Sequence, residues 1–256
     1  MAATAMASAR SRASYFYVWM SILCAVFAFG GVAGAYWHQP AGETFAAVSP
    51  LLHLRSQMTL AWSVLLVAQA WQAANGRLAH HKALGVTGVS LAMAMVVVGV
   101  AGADRAAAAY LARGDGESAR AFYLVPFESI VEFAVFFTAA LANLTRPDWH
   151  KRLMVVATVA LLQASAARIA LLLAAGGGLG LRPGPGPLPP MACLGATAFV
   201  CLILLVGAIY DWRTRGRPHA AYLIGLVTLL GMELAHPWIT GSPGWPAFVD
   251  VMGRSG

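Results

Sequence analysis

The stretch ALGVTGVSLAMAMVVVGVAGA, residues 83–103, runs for 21 residues without a single charge. A helix rising 1.5 Å per residue needs about 20 such residues to cross the hydrocarbon layer of a bilayer. A surface helix of a soluble domain would carry a polar face, and only Thr87 and Ser90 interrupt this run. Working outward, six further apolar runs are found at approximately 15–37, 51–74, 122–143, 153–175, 191–210 and 220–240. Everything between them is short.

Composition agrees with that pattern. The 256 residues are 59% hydrophobic and 11% charged, with a mean hydropathy of +0.69. Soluble domains carry about 25% charged residues, so this chain cannot coat a globule with polar side chains. A soluble enzyme, a disordered chain and a coiled coil are excluded. The expected fold class is all-α: one polytopic domain over residues 1–256, a bundle of seven transmembrane helices. Loop 104–121 is helix-compatible and is expected to lie along the membrane surface. Loop 176–190, rich in Gly and Pro, reads as a spacer, since no strand precedes its glycines and no Lys-Ser/Thr follows. The first apolar run, flanked by Tyr15, Tyr17, Trp19, Tyr36 and Trp37, is longer than a signal-peptide core and reads as an uncleaved helix.

Orientation follows from the basic residues. The N-terminus and the loops after the second, fourth and sixth runs hold Arg10, Arg12, Arg77, Lys82, Arg146, Lys151, Arg152, Arg213, Arg215 and Arg217, against Asp148 and Asp211. The other side balances Arg105, Arg113, Arg120, Arg182 and Arg254 with Glu43, Asp104, Asp115, Glu117 and Asp250. The first side is therefore expected to be cytoplasmic, with the N-terminus inside. The net charge of +7 is mostly this asymmetry, and nucleic acid is not an expected partner. Membrane lipids are. Cys24, Cys193 and Cys201 fall in apolar runs without Cys-x-x-Cys spacing and read as core residues.

Three inner loops each place a histidine just before a helix, at His81, His150 and His219. One reading makes these loops inside-positive anchors, solvated at the surface. The other makes them a cytoplasmic cofactor or anionic-lipid site. The chain also resembles a widespread family of bacterial seven-helix membrane proteins to which no activity is attached. The resemblance is carried by Tyr15-Phe-Tyr17, Gly30-Gly31, Leu52-His53 with Trp62 and Gln69, His81-x-x-Leu84-Gly85, and His150-Lys-Arg-Leu-Met154 running on to Ala167-Arg168. Asp211-Trp-Arg-Thr-Arg-Gly-Arg-Pro-His219 completes it. It covers nearly the whole chain and implies a bundle of about seven helices in the bacterial inner (cytoplasmic) membrane. Where family members carry His-x-His in the second helix, this chain has His53-Leu-Arg55, so a metal role does not carry over to that second position.

Charges inside the apolar runs are costly and therefore informative. Glu128 and Glu132 share one face at i and i+4, and Glu233 and His236 share another at i and i+3. With His53, Arg55 and Arg168 they give the outer half of four helices a polar layer. Three readings stand side by side. The acids can pair with Arg55 and Arg168, Arg168 forking a helix-four carboxylate. Glu128, Glu132, Glu233, His236 and His53 can hold a transition metal, Glu-x-x-His being the spacing of carboxylate-bridged bundles. Or the layer can be a hydrated cavity that binds a small molecule or relays protons, its unpaired carboxylates raised in pKa. Haem b is a further candidate, held by His53 with His236 or by His81 with His150. The sharper expectation is a metal- or haem-cofactor redox protein, with a membrane redox partner and with Glu128, Glu132 and Arg168 as the acting residues. The alternative is a cofactor-free binding or transport protein, or an accessory subunit of a membrane complex. Whether the chain is an enzyme stays open at this point.

Overall fold

The computed structural model describes residues 2–36, 50–174 and 190–255. Every regular element among them is an α-helix: α1 (Ala2–Tyr36), α2 (Pro50–Ala74), α3 (Leu78–Leu111), α4 (Gly116–Ala142), α5 (Pro147–Leu161), α6 (Gln163–Ala174), α7 (Pro190–Arg215), α8 (Ala220–Thr240) and α9 (Gly244–Ser255). Most of the 176–190 spacer lies outside the described residues.

Each helix from α1 to α5 packs against the next. α6 returns to α1 and α7, and α8 closes the bundle against α7, α5 and α4. The turns around residues 75–77, 112–115 and 216 rest on Gly76, Gly114 and Gly216, whose φ values of 72°, 78° and 74° suit glycine. Windows in α1, α3, α4, α7 and α8 are apolar and long enough to cross a membrane. α5 and α6 together make a sixth candidate, bent by 53°. α2 is 25 residues long and sits between α1 and α3, but is not among the apolar candidates. His53, Arg55, Gln57, Gln69 and Gln72 dilute its hydropathy.

Three elements differ from the expectation. The run at 153–175 is not one straight helix. At Leu162 the amide bonds to the Val159 carbonyl, a tightened i−3 turn, and the helix restarts at Gln163. Loop 104–121 is not a separate surface helix. α3 runs on to Leu111, a turn follows, and α4 begins at once with the Asp115 carboxylate accepting from the Ser118 amide at 3.0 Å. The carboxyl of Asp115 is held below its ordinary range by those hydrogen bonds to Ser118. The third difference is α9, a helix past the last expected one. It lies on α3 and α4, where Trp245 and Val249 pack with Ala103, Ala107 and Tyr123. Tyr123 donates to Asp104 at 2.8 Å, Trp245 donates to the Arg120 carbonyl at 3.0 Å, and Arg120 pairs with Asp250 at 3.2 Å.

The main core joins Tyr17, Met20 and Cys24 of α1 to Trp62 of α2, Phe133 and Phe137 of α4, Val156 of α5 and Leu204 of α7. Trp62 meets Phe133 edge-on at 5.1 Å, and its indole N–H donates to Thr158 at 3.1 Å. Close approach needs glycine at two places. A Cβ on Gly31 would fall 2.4 Å from the Ser165 backbone, and one on Gly207 would fall 2.4 Å from the Tyr222 ring.

One end of the bundle is locked by charge, and here the expectation of solvated inner-surface arginines is overturned. Arg152 is fully buried and forks Asp211, also fully buried, with its Nε at 2.7 Å and its Nη2 at 2.5 Å. Its Nη1 donates to the Asp148 carbonyl at 2.7 Å. Asp148 also gathers Lys151 at 3.0 Å and Arg215 at 2.9 Å. The Tyr17 and Tyr222 rings flank the guanidinium at 5.5 and 6.0 Å. Four helices, α1, α5, α7 and α8, meet at this group. Removing one partner of a buried pair leaves the other uncompensated, at a cost of about 3–5 kcal/mol. Arg152→Met and Asp211→Asn should each lower the melting temperature of the detergent-purified protein by about 10 °C. The double variant Arg152→Met/Asp211→Leu should recover part of that loss. Equal losses for single and double variants would show that the pair is not the lock.

His219 caps α8 beside this lock, accepting from the Ala221 amide at 3.2 Å with its ring 4.7 Å from Trp149. Burial, and then the nearby Arg152 charge, hold its pKa below the ordinary value. The unfolded chain therefore takes up a proton near pH 6.5 that the folded one refuses, and stability falls on acidification through that pH. The drop in melting temperature from pH 7.5 to 5.5 should be smaller in His219→Asn than in the parent, since Asn still caps. An unchanged drop would remove His219 from the pH response.

Candidate functional site

α4 and α8 cross near Glu128 and His236, about 18 Å along α4 from Ala140 and the next turn. Each helix carries a proline beside its site residues. Pro126 precedes Glu128 by two residues, and Pro237 follows His236. A helical proline has no N–H for the carbonyl four residues back, so Pro237 leaves the Glu233 carbonyl without its usual helical donor.

The i, i+3 spacing in α8 turns Glu233 and His236 to the same side, and both are buried. The His236 Nε2 stands 2.6 Å from Oε2 of Glu128, and its Nδ1 stands 3.4 Å from Oε2 of Glu233. Thr197 of α7 donates to Oε1 of Glu233 at 2.6 Å. Ligating atoms of Glu128, Glu233 and His236 all lie within 4.8 Å of one another. Glu132 is one turn further along α4, buried, and neither of its carboxylate oxygens has a hydrogen-bond partner. Oε1 of Glu128 and Oε2 of Glu233 are buried and accept no hydrogen bond either.

Of the expected site residues, Glu128, Glu233 and His236 converge, and Glu132 adjoins them. Of the two α4 carboxylates, Glu128 is met by His236, and Glu132 accepts no hydrogen bond. Arg168 lies on α6 near enough to Arg55 for the two guanidiniums to repel. Arg55 borders a small cleft with Met58, Thr59, Met95 and Ile130, whose lining includes no carboxylate. His53 begins α2 and is not one of the clustered ligands. His236 has a carboxylate beside each ring nitrogen. His81 and His150 are brought together at the other end, their ring centres 6.4 Å apart.

Sequence reasoning missed Thr197, a hydroxyl inside an apolar run with no spacing signal. It also missed the Ser129 hydroxyl, which donates to the side-chain oxygen of Gln163 just past the α5–α6 break. Chemically the cluster is an excess of carboxylate in a buried place. Three buried acids face one imidazole, which invites either protons or a cation.

No family model, no curated protein and no solved structure matches this chain.

In chelator-treated protein the carboxyl of Glu132 has nothing to bond, so Glu132→Gln should leave the melting temperature within about 2 °C of the parent. Thr197→Val strips a donor from a buried carboxylate, worth about 1–3 kcal/mol, and should lower it measurably. Destabilisation by Glu132→Gln equal to that of Thr197→Val would mean that Glu132 has a partner after all.

Proposed function

We propose that the protein is a seven-span membrane protein of the bacterial inner membrane, N-terminus inside. On this reading the Glu128 end lies in the outer half of the bundle and binds a transition-metal ion for redox chemistry with a membrane partner. α2 then makes the seventh span, with His53, Arg55, Gln69 and Gln72 partly buried and Gln57 exposed.

One observation carries the metal reading. The His236 Nδ1 and Oε2 of Glu233, which accepts no hydrogen bond, stand 3.4 Å apart. Two donors bound to one ion at about 2.1 Å and the tetrahedral angle stand about 3.4 Å apart. The Nε2–H of His236 meanwhile points its hydrogen bond at Glu128, which is how a carboxylate orients a metal-bound imidazole and raises its basicity. Glu233 and His236 are thus the primary ligands, Glu128 the orienting carboxylate, and Glu132 a further oxygen donor one turn away. A divalent ion would also neutralise acids whose burial is otherwise costly. Oxygen and imidazole donors suit iron, manganese or zinc, and the first two support one-electron chemistry.

Metal analysis of protein purified from metal-replete cells tests this. About one equivalent of iron, manganese or zinc is expected, lost in Glu233→Gln and His236→Ala but retained in His53→Ala. A Soret band would replace the metal-centre reading with haem. A preparation that holds no metal and takes none up on titration would sink it, leaving the cofactor-free binding or proton-relay alternative. A C-terminal reporter active only in the cytoplasm would overturn the orientation.

A further inference from the structure

The turn regions at the Arg152 end hold a pair of imidazoles. His81 starts α3 and His150 starts α5, both partly exposed. The His81 Nδ1 lies 3.2 Å from the Gln69 carbonyl near the end of α2, and the His150 Nδ1 lies 2.9 Å from the Ala140 carbonyl near the end of α4. A carbonyl oxygen only accepts, so each Nδ1 carries the hydrogen and donates it. The neutral ring then keeps its lone pair on Nε2. Two histidines on different helices are thus fixed in the same tautomer by the same device. A backbone carbonyl on the far nitrogen is the usual support of a metal-bound imidazole.

The spacing is close. Two imidazoles bound through Nε2 at about 2.0–2.1 Å to one tetrahedral ion place their ring centres about 5.2 Å apart, so the rings must close by about 1 Å on the ion. The observed separation is 6.4 Å, with the ring planes at 85°. Gln69 adds an oxygen at this level. Its side-chain Oε1 is buried without a hydrogen-bond partner, and its amide lies beside Gly85, one turn beyond His81. We propose that His81 and His150 form a second metal site, a two-imidazole site at the Arg152 end that takes a borderline divalent ion such as Zn(II). It is separate from the Glu233–His236 centre and does not depend on it.

Calorimetric titration of chelator-stripped, detergent-purified full-length protein with Zn(II) tests the site. His81→Ala and His150→Ala should each lose one binding class or weaken it at least tenfold, while His80→Ala, an exposed neighbour, keeps it. The class lost in Glu233→Gln should be a different one, so failure of either site is read independently of the other. A titration of His81→Ala and His150→Ala that matches the parent overturns the proposal. Should those variants not fold, diethyl pyrocarbonate labelling of the parent decides. Zn(II) should protect His81 and His150 from modification, and unprotected labelling would overturn the proposal equally.

Discussion

A guanidinium taken out of water must be met on its own geometry, and the planar fork of Arg152 is met by both oxygens of Asp211. That bond fixes the height and rotation of α5 against α7 at once. Tyr17 and Tyr222 close over it from α1 and α8, so four helices take their register from one charge. Fourteen residues along α7, about 21 Å, Thr197 meets Glu233. The position of that hydroxyl is set by a helix whose other end is already pinned.

The two ends of the bundle solve one electrostatic problem in opposite ways. At the Arg152 end, Lys151, Arg152 and Arg215 face Asp148 and Asp211, and the ion pairs close upon themselves. At the other end Glu128, Glu132 and Glu233 face His236, and several carboxylate oxygens are left over. Charges that each meet a counter-charge give a fixed structure. Carboxylate oxygens that meet none give a place where a cation or a proton is wanted, and that contrast separates scaffold from site.

Much of the fold was legible because long helices are written here as long apolar runs, and their bounds came out within a few residues for α2, α7 and α8. The break at Leu162 was not legible, since neither Pro nor Gly marks it. The consequences of that miss reach the site. A straight helix would have allowed Arg168 to be placed by depth beside the acids of α4, whereas the bend sends it with α6 towards α1 and α7. Glu128, Glu233 and His236 were legible because i+3 and i+4 spacing survives any packing. Arg152 was misread for a different reason. Its place at a helix start in a basic loop explains itself by topology, and only the packing of α7 shows Asp211 turned inward.

Gly207 bears no charge and touches none, yet it governs one. The Tyr222 ring occupies the space where its side chain would be, and that ring is a wall of the Arg152 chamber. A single added methyl group would have to evict the ring, opening a low-dielectric compartment to whatever solvent or lipid headgroup lies beyond. The strength of an ion pair is thus set by volume at a residue that contributes nothing to its electrostatics. In the genetics of such a bundle, a silent-looking apolar position can carry the tolerance of the charged ones.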